Sequence, residues 1–402
     1  MADLRPARRL NTKSMHICMI THSIYEEDYR VLRYAESLVR RGDTVEVFSL
    51  RWRPQLAHEE VIAGVKVHRI QDRFTKNEIS KARLVGPLLK FFMRAAWQVT
   101  RRHWRRPYDI VHVHNIPDFL VFAAAYPKLS GAKIILDVHD IVPEFFATRF
   151  NAPLDSFTVQ CLKLMERVSG WFADHVILSN HLWLEKYASR TAPKGKCSVF
   201  INNVDRTIFR PSQHAHGENP IVIFPGGLQY HQGLDIAIRA FAKLLQRMPG
   251  AEFHIYGDGP MKDPWIALAK ELRLDGHVVF HEPLKLKEIA KVMSQADLGV
   301  VPKRADSFGN EAYSTKIMEF MAAGIPVVAA STRIDRYYFD DSLLRFFPPG
   351  NADAMAEAMH AVLSDRELQH RLVSNGSEYA ARNDWESRKA EYLDLVDSLR
   401  AA

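Results

Sequence analysis

The sequence has few cysteines and no long apolar run. Three of its 402 residues are cysteines, at positions 18, 161 and 197, and their spacing fits neither a disulfide framework nor a zinc cluster. The longest apolar stretch, Phe119 to Ala125, is much shorter than the ~20 residues that a membrane helix needs, and the first residues lack the apolar core of a signal peptide. We therefore expect a cytoplasmic protein, either free or peripheral on the inner membrane face.

Glycine is missing where a dinucleotide site would need it. The turn after the first predicted strand, Thr21 to Asp28, contains no glycine, and a backbone that approaches a pyrophosphate closely requires glycines there. An NAD or FAD fingerprint is therefore absent. The pattern G-x-x-x-x-G-K-[ST] is also absent, which excludes the usual P-loop NTPase.

Acidic residues are missing between Lys81 and Arg106. The first 200 residues carry 31 basic and 20 acidic side chains, and the other 202 carry 23 and 27. The segment suggests either a helix on an anionic membrane surface or a solvated helix whose apolar face is core. No pattern indicates a nucleic-acid partner. The segment contains the basic residues Lys81, Arg83, Lys90, Arg94, Arg101, Arg102, Arg105 and Arg106 and the apolar residues Leu84, Leu88, Leu89, Phe91, Phe92, Met93, Trp97 and Trp104.

Short apolar runs alternate with helical patterns along the whole chain. This alternation predicts an α/β fold of two doubly wound parallel-sheet domains, with a ligand cleft at the carboxyl ends of the strands. The polar stretch 210–219 is the best linker candidate. We predict domains at 1–209 and 220–383, followed by a helix at 384–402 that returns to the first domain.

The segment from Ser307 to Ala329 carries the chemistry. Ser314 or Thr315 can cap a helix that Gly324 ends. The free N–H groups of its first turn, with Lys316, would form an anion site. Glu311 before the helix and Glu319 inside it can each accept hydrogen bonds from a pair of sugar hydroxyls. This pattern suits a nucleotide-sugar.

The spacing of these glutamates resembles the E-x7-E motif of the retaining family-4 glycosyltransferases, which have the GT-B fold of two Rossmann-like domains facing across a cleft. Further segments resemble that family in the expected order over nearly the whole chain. These are Asp28 to Leu38 with Gly42, Tyr108 to His114, Asp137 to Asp140, Asn203 to Asp205 with Phe209 and Pro211, Gly226 and Gly227, Gly257 to Pro260, and Ala296 and Asp297.

One departure concerns the donor diphosphate. Many members of the family hold it with an Arg and a Lys, and the corresponding positions here are Gly227 and Gln232. Lys316, Lys303 or Arg304 could replace the two charges.

The resemblance also implies roles for individual residues. It places His139 beside the transferred sugar, Glu311 on the donor sugar and Glu319 on the ribose. Asp140 and Glu144 are candidate acceptor-side acids. His112 and His114 alternate on a strand without a carboxylate at matching spacing, so we expect no metal site there. The implied donor-binding set is Gly226, Gly227, Gly257, Tyr313, Ser314, Thr315, Lys316 and Glu319.

The expected function is retaining transfer of a sugar, hexosyltransferase-type, from a nucleotide-sugar to a glycan or lipid-linked acceptor in surface polysaccharide assembly. We expect no cofactor and no obligatory metal. Two alternatives stay open, a nucleotide-sugar epimerase of the same fold and an inactive nucleotide-sugar-binding subunit.

Overall fold

The computed structural model describes residues 14–73, 81–150, 152–212 and 219–401, which form two α/β units. The strands are β1 (His16–Ile24), β2 (Thr44–Arg51), β3 (Glu59–Ile62), β4 (Val65–Asp72), β5 (Ile110–His114), β6 (Lys133–Val138), β7 (His175–Leu178), β8 (Cys197–Val199), β9 (Ile221–Pro225), β10 (Glu252–Tyr256), β11 (Val278–His281), β12 (Leu298–Val301), β13 (Val327–Ala330) and β14 (Arg345–Phe347). The helices are α1 (Tyr29–Arg41), α2 (Lys81–Arg105), α3 (Ala125–Leu129), α4 (Val142–Phe150), α5 (Phe157–Phe172), α6 (His181–Arg190), α7 (Leu234–Arg247), α8 (Lys262–Glu271), α9 (Leu286–Met293), α10 (Thr315–Ala323), α11 (Arg333–Tyr338), α12 (Ala352–Ser364), α13 (Arg366–Arg382) and α14 (Trp385–Ala401).

The first unit is built on an eight-stranded sheet. Its strand order is β3-β4-β2-β1-β5-β6-β7-β8, and every neighbouring pair is parallel except β3 with β4. The chain leaves β1 toward one side and returns to β5 on the other. A crevice therefore opens at the carboxyl ends of β1 and β5, where the order reverses.

The second unit is built on a six-stranded, fully parallel sheet in the order β11-β10-β9-β12-β13-β14. Its order reverses between β9 and β12. The predicted α/β class with two doubly wound parallel sheets is therefore confirmed. Residues 213–218 of the predicted linker lie outside the described residues.

The last helix, α14, packs on the first unit rather than on the second. The indole Nε1 of Trp385 donates to Ser37 Oγ at 3.0 Å, and the Tyr392 ring stacks on Tyr34 with centroids 4.1 Å apart. Directly before α14, Asn203 Nδ2 of the first unit donates to the carbonyl of Asn383, which follows α13 of the second unit, at 2.6 Å. This helix ties the two units together.

Helix α2 shows apolar side chains on two faces. Phe91, Ala95 and Val99 are buried in the core, whereas Met93 and Trp97 are 65% and 62% exposed. Arg102 forms ion pairs with Glu59 and Glu46. The sequence pattern alone suggested that all basic residues of the segment lack an acidic partner, and the structure shows that Arg102 has two. Among the described residues, no helix is both long and apolar enough to cross a bilayer.

The packing of α10 on its sheet gives a stability prediction. A Cβ on Gly299 of β12 would lie 2.6 Å from the buried ring of Phe320 in α10, so Gly299→Ala should lower the free energy of unfolding by about 1–3 kcal/mol. Urea unfolding followed by circular dichroism measures this. Gly195→Ala is the control, because a Cβ there meets nothing within 4 Å. Equal stability of the two variants would contradict the packing.

Candidate functional site

A buried carboxylate, Asp137 at the end of β6, organises the carboxyl edge of the first sheet. Arg30 Nε and Nη2 donate to its two oxygens at 2.8 and 2.7 Å, and His114 Nδ1 lies 3.0 Å from Oδ2. Burial acts to raise the pKa of Asp137, but Arg30 and His139 hold it well below its usual range. The carboxylate is therefore charged, and it fixes the groups around it.

His139 is one of those groups and reaches the cleft. Its Nε2 lies 3.1 Å from Asp137 Oδ2, and its backbone N–H donates to Asn115 Oδ1 at 2.8 Å. The side chain is 21% exposed. Burial acts to lower the pKa of His139, but the Asp137 charge and hydrogen bond raise it above its ordinary value. Asp137 thus fixes the orientation of the His139 ring, and the ring lines a cavity.

That cavity has a volume of about 500 Å³ and lies between the two units. One wall comes from β1, α1 and the end of β6, and the opposite wall from the first two turns of α10. Its polar lining includes His139, Asp28, Arg33, Asn203, Thr315 and Glu319. A ligand there would touch both units at once.

Helix α10 spans Thr315–Ala323, and Gly324 ends it at φ 74°, as predicted. Ser314 occupies the N-cap position, but its hydroxyl contacts Lys303 Nζ at 2.8 Å and Asp335 at 3.2 Å. Within the described part of the chain, Ser314 makes no capping hydrogen bond to the helix. The predicted cap is therefore wrong in its side chain. The backbone N–H of Ile317 donates to the Ser314 carbonyl at 3.2 Å, whereas those of Thr315 and Lys316 stay available to a ligand.

A second cavity of about 470 Å³ opens at the carboxyl edge of the second sheet. Gly226 and Gly257 follow β9 and β10 at φ 138° and 155°, and a Cβ on Gly257 would lie 1.9 Å from the Gly226 carbonyl. A Cβ on Gly226 would lie 2.5 Å from Lys316 Cε. Only glycine permits this approach. The lining includes Gly226, Gly227, Gly257, Thr315, Lys316 and Glu319.

Lys316 is the cation of this second cavity. Its Nζ donates to Gln232 Oε1 at 2.9 Å and lies 5.1 Å from the Phe224 ring centroid. Burial lowers the pKa of Lys316 to about 8, although Glu319 opposes the shift. Within the described ranges, no carboxylate lies within ion-pair distance of Lys316. Its charge is thus available to an anion.

The other two candidate cations are already paired. Lys303 Nζ lies 2.9 Å from Asp335 and donates to the Ala312 carbonyl at 2.7 Å. Arg304 forms an ion pair with Asp235, and its guanidinium carbon lies 4.2 Å from the centroid of the Tyr230 ring. Of the three, Lys316 is the one that lines the cavity.

Glu319 lies where the two cavities meet. It lines both of them, as does Thr315 one turn earlier. Burial raises the pKa of Glu319, while Lys316 and Arg33 act to lower it. This carboxylate is therefore half-buried between cations from opposite sides of the cleft.

Glu311 lies outside both cavities. Its carboxylate pairs with Lys186 of α6 and with Arg333, the latter at 3.5 Å, and Asn180 Nδ2 donates to its carbonyl at 3.0 Å. Lys186 and Asn180 belong to the first unit, so Glu311 joins the two units. The predicted contact with a donor sugar requires Lys186 to release it.

Three further predicted residues also lie outside the cavities. Glu144 is buried, and Arg190 donates to both of its oxygens at 2.6 and 3.0 Å. The Tyr313 ring packs on Tyr338 with centroids 5.0 Å apart. The carbonyl of Asp140 accepts from Asn115 Nδ2 at 2.8 Å. Ion pairing and core packing explain the positions of Glu144 and Tyr313.

Among the described residues, one group could offer three ligand atoms to a metal ion: His112, His114 and Asp137, whose ligand atoms lie within 4.8 Å of one another. Spacing along the one strand did not reveal this carboxylate, because Asp137 comes from the neighbouring parallel strand. The group nevertheless fits a dication poorly. Arg30 occupies both oxygens of Asp137 and supplies the compensating charge, so a dication would meet a cation at its ligand.

Sequence reasoning assigned no role to Arg30, Arg33 or Asp137. Arg30 and Arg33 are three residues apart on α1 and therefore share a face, which the structure turns toward the cleft. Arg33 donates to the carbonyl of Asn203 and lines the first cavity. In the sequence, the one signal for these residues was the three-residue spacing of Arg30 and Arg33 in the helix that follows the first strand.

Comparison with known proteins agrees with this geometry. The model "Glycosyl transferase 4-like domain" matches residues 28–203, and "Glycosyl transferases group 1" matches residues 205–379. The chain is 25% identical to the "Uncharacterized glycosyltransferase MJ1607" of Methanocaldococcus jannaschii over 90% of this chain and 91% of that protein.

Two further similarities are relevant. The chain is 26% identical to the "GDP-mannose-dependent alpha-(1-6)-phosphatidylinositol monomannoside mannosyltransferase" of Mycolicibacterium smegmatis, over 57% of this chain and 64% of that enzyme, hence under two thirds of its length. The structure of Anabaena Alr3699/HepE in complex with UDP and glucose aligns with a TM-score of 0.72 at 17% identity, covering 96% of this chain and 100% of that one. The protein is a glycosyltransferase with the GT-B fold.

Proposed function

We propose that the protein is a retaining hexosyltransferase that moves a sugar from a nucleotide-sugar to a glycan or lipid-linked acceptor. The observation that carries this proposal is the position of Thr315 and Glu319, which line both cavities. The second cavity suits the nucleoside diphosphate, and the first suits the sugar and the acceptor. The reacting bond would lie near their junction.

The diphosphate would bind at the start of α10. The free backbone N–H groups at the start of α10, the partial positive charge of the helix N-terminus and the Lys316 ammonium all favour an anion there. Gly226 and Gly257 keep the neighbouring backbone free of side chains. Retaining transfer passes through an oxocarbenium-like centre, so stabilising the departing diphosphate lowers the barrier.

The acceptor would enter from the first unit. His139 lies at the wall of the first cavity, with its ring fixed by Asp137. A mannosyltransferase similar in sequence is named for a phosphatidylinositol monomannoside, and α2 exposes Trp97 and Trp104 beside several arginines. These features support a lipid-linked acceptor and a peripheral position on the inner membrane face, as in surface polysaccharide assembly.

The direct test is a thermal-shift screen against UDP-, GDP-, ADP- and dTDP-sugars, followed by transfer assays with lipid-linked glycans. A ligand at 100 times its Kd should stabilise the protein by about 2.7 kcal/mol. The product anomer, read by NMR, should match the donor anomer, and transfer should persist in EDTA. Release of free epimerised nucleotide-sugar without acceptor would instead support the epimerase.

Replacing Lys316 should separate phosphate from nucleoside binding. Lys316→Ala removes a charge-assisted hydrogen bond and should raise the Kd of the nucleoside diphosphate roughly 10- to 150-fold. The Kd of the nucleoside should change little. Calorimetry measures both, with Lys270→Ala on the exposed side of α8 as control. Equal effects on the two ligands would show that Lys316 does not reach the phosphates.

The lowered pKa of Lys316 predicts a pH dependence. Because the pKa is about 8, the free protein loses this charge as the pH rises through that value, and nucleoside diphosphate binding should weaken there. Lys316→Arg keeps its charge and should flatten the profile above pH ~8. An identical slope in both proteins would contradict the prediction.

The two glutamates should give different kinetic effects. Glu319→Ala should weaken nucleotide binding by about 1.5–3 kcal/mol, because it removes a hydrogen-bond acceptor from a half-buried site. Glu311→Gln should mainly lower kcat if Lys186 releases it during the reaction. Lys186→Met breaks the same ion pair but leaves the Glu311 carboxylate intact, so it should keep most of kcat. Equal losses of kcat in the Glu311 and Lys186 variants would show that Glu311 acts only through its ion pair with Lys186.

A further inference from the structure

Helix α5 carries an exposed apolar stripe that neither cavity uses. Phe157 and Trp171, at its two ends, are 84% and 77% exposed. Leu164 and Val168, between them, are also exposed. Side chains of this size usually face a core or a partner. The stripe therefore indicates a surface that is covered in the working protein.

The stripe lies on the same side of the first sheet as the exposed residues of α2. The 3-10 segment Asp118–Ala124 packs between the two helices. The ring centroids of Phe119 and Phe92 of α2 are 5.9 Å apart, and those of Phe122 and Phe172 of α5 are 5.1 Å apart. Both helices thus turn their outer faces away from the sheet. Two apolar stripes border one broad face.

The exposed charged side chains on the two helices themselves are all basic. Glu166 is the one acid in α5, and it is buried against Arg190 and Thr191. Helix α2 has no acid in its sequence. The outer face of α5 carries Arg167 and half-buried Lys163, and these two line a groove of about 310 Å³ beside Leu164.

We propose that α5 and α2 together form a docking surface for an anionic lipid bilayer, with the groove at Lys163 and Arg167 receiving a lipid headgroup phosphate. This inference rests on the proposed function, because it brings the cleft to a lipid-linked acceptor. Apolar side chains would enter the interface, and the basic ones would meet the headgroups.

A second copy of the chain fits the same face less well. The exposed positions 157, 161, 164, 168 and 171 alternate in steps of four and three, as in a helix pair. Pairing of two α5 helices would, however, bring Lys163 and Arg167 of one copy near those of the other, and α5 itself has no exposed acid to pair them. Charge therefore favours the bilayer.

Vesicle flotation of the full chain tests the proposal. The protein should bind vesicles of phosphatidylcholine with phosphatidylglycerol and should not bind pure phosphatidylcholine. The double variant K163Q/R167Q should weaken binding roughly 30-fold, since each basic residue near the anionic surface contributes a factor of about 5 to the affinity. The variant L164Q/W171Q should also weaken binding, and its exposed positions leave folding intact.

The controls change matched residues outside this face. R239Q/K270Q removes the same charge from the exposed sides of α7 and α8, and V61Q changes an exposed apolar residue on β3. Both should bind vesicles like the wild type. Equal binding by the α5 variants and the wild type would overturn the proposal. A wild-type dimer that L164Q/W171Q dissociates in sedimentation, without vesicle binding, would overturn it in favour of a second copy.

Nucleotide-sugar binding, measured by thermal shift, separates this inference from the proposed function. The α5 variants should bind the donor like the wild type. Donor binding without vesicle binding would overturn the docking surface alone. A wild type that binds vesicles but no nucleotide-sugar would instead contradict the proposed function and leave the surface supported.

Discussion

The cleft depends on a close approach of backbone at the carboxyl edge of the second sheet. Gly226 and Gly257 follow adjacent strands, and no Cβ fits between them. Because Gly226 has no side chain, Lys316 crosses it and the start of α10 faces the cavity. This contact places Thr315 and Glu319 between the two cavities, and the proposed division between donor and acceptor follows from it.

The first unit supplies a different kind of constraint, which is electrostatic. Asp137 is buried and charged, and Arg30 offsets the cost of its burial through two hydrogen bonds. The same carboxylate fixes His114 and His139. A histidine with its ring fixed and its pKa raised is suited to contact a polar ligand in the cleft, while Arg30 stabilises the charge beneath it.

Strand and helix patterns predicted most of the fold, because parallel strands buried on both faces read as apolar runs and glycines end helices. Helix α10 was predicted close to its observed bounds for this reason. The site was less accessible. That Asp137 joins His114 depends on strand order, which spacing along one strand cannot reveal. The ion pair between Glu311 and Lys186 joins two units, and the partners of Ser314 come from a separate loop and helix. Such contacts between distant segments leave no periodic signal.

Hydrogen–deuterium exchange with and without a bound nucleotide-sugar tests the central claim most directly. The account predicts slower exchange in three segments that are distant in sequence, 226–228, 257–259 and 315–319, because residues of all three line the cavity proposed for the diphosphate and a bound ligand would oppose their local opening. Exchange in α5 and α12 should not change. Protection confined to other segments, or none in 315–319, would contradict the assignment of the donor site to the start of α10.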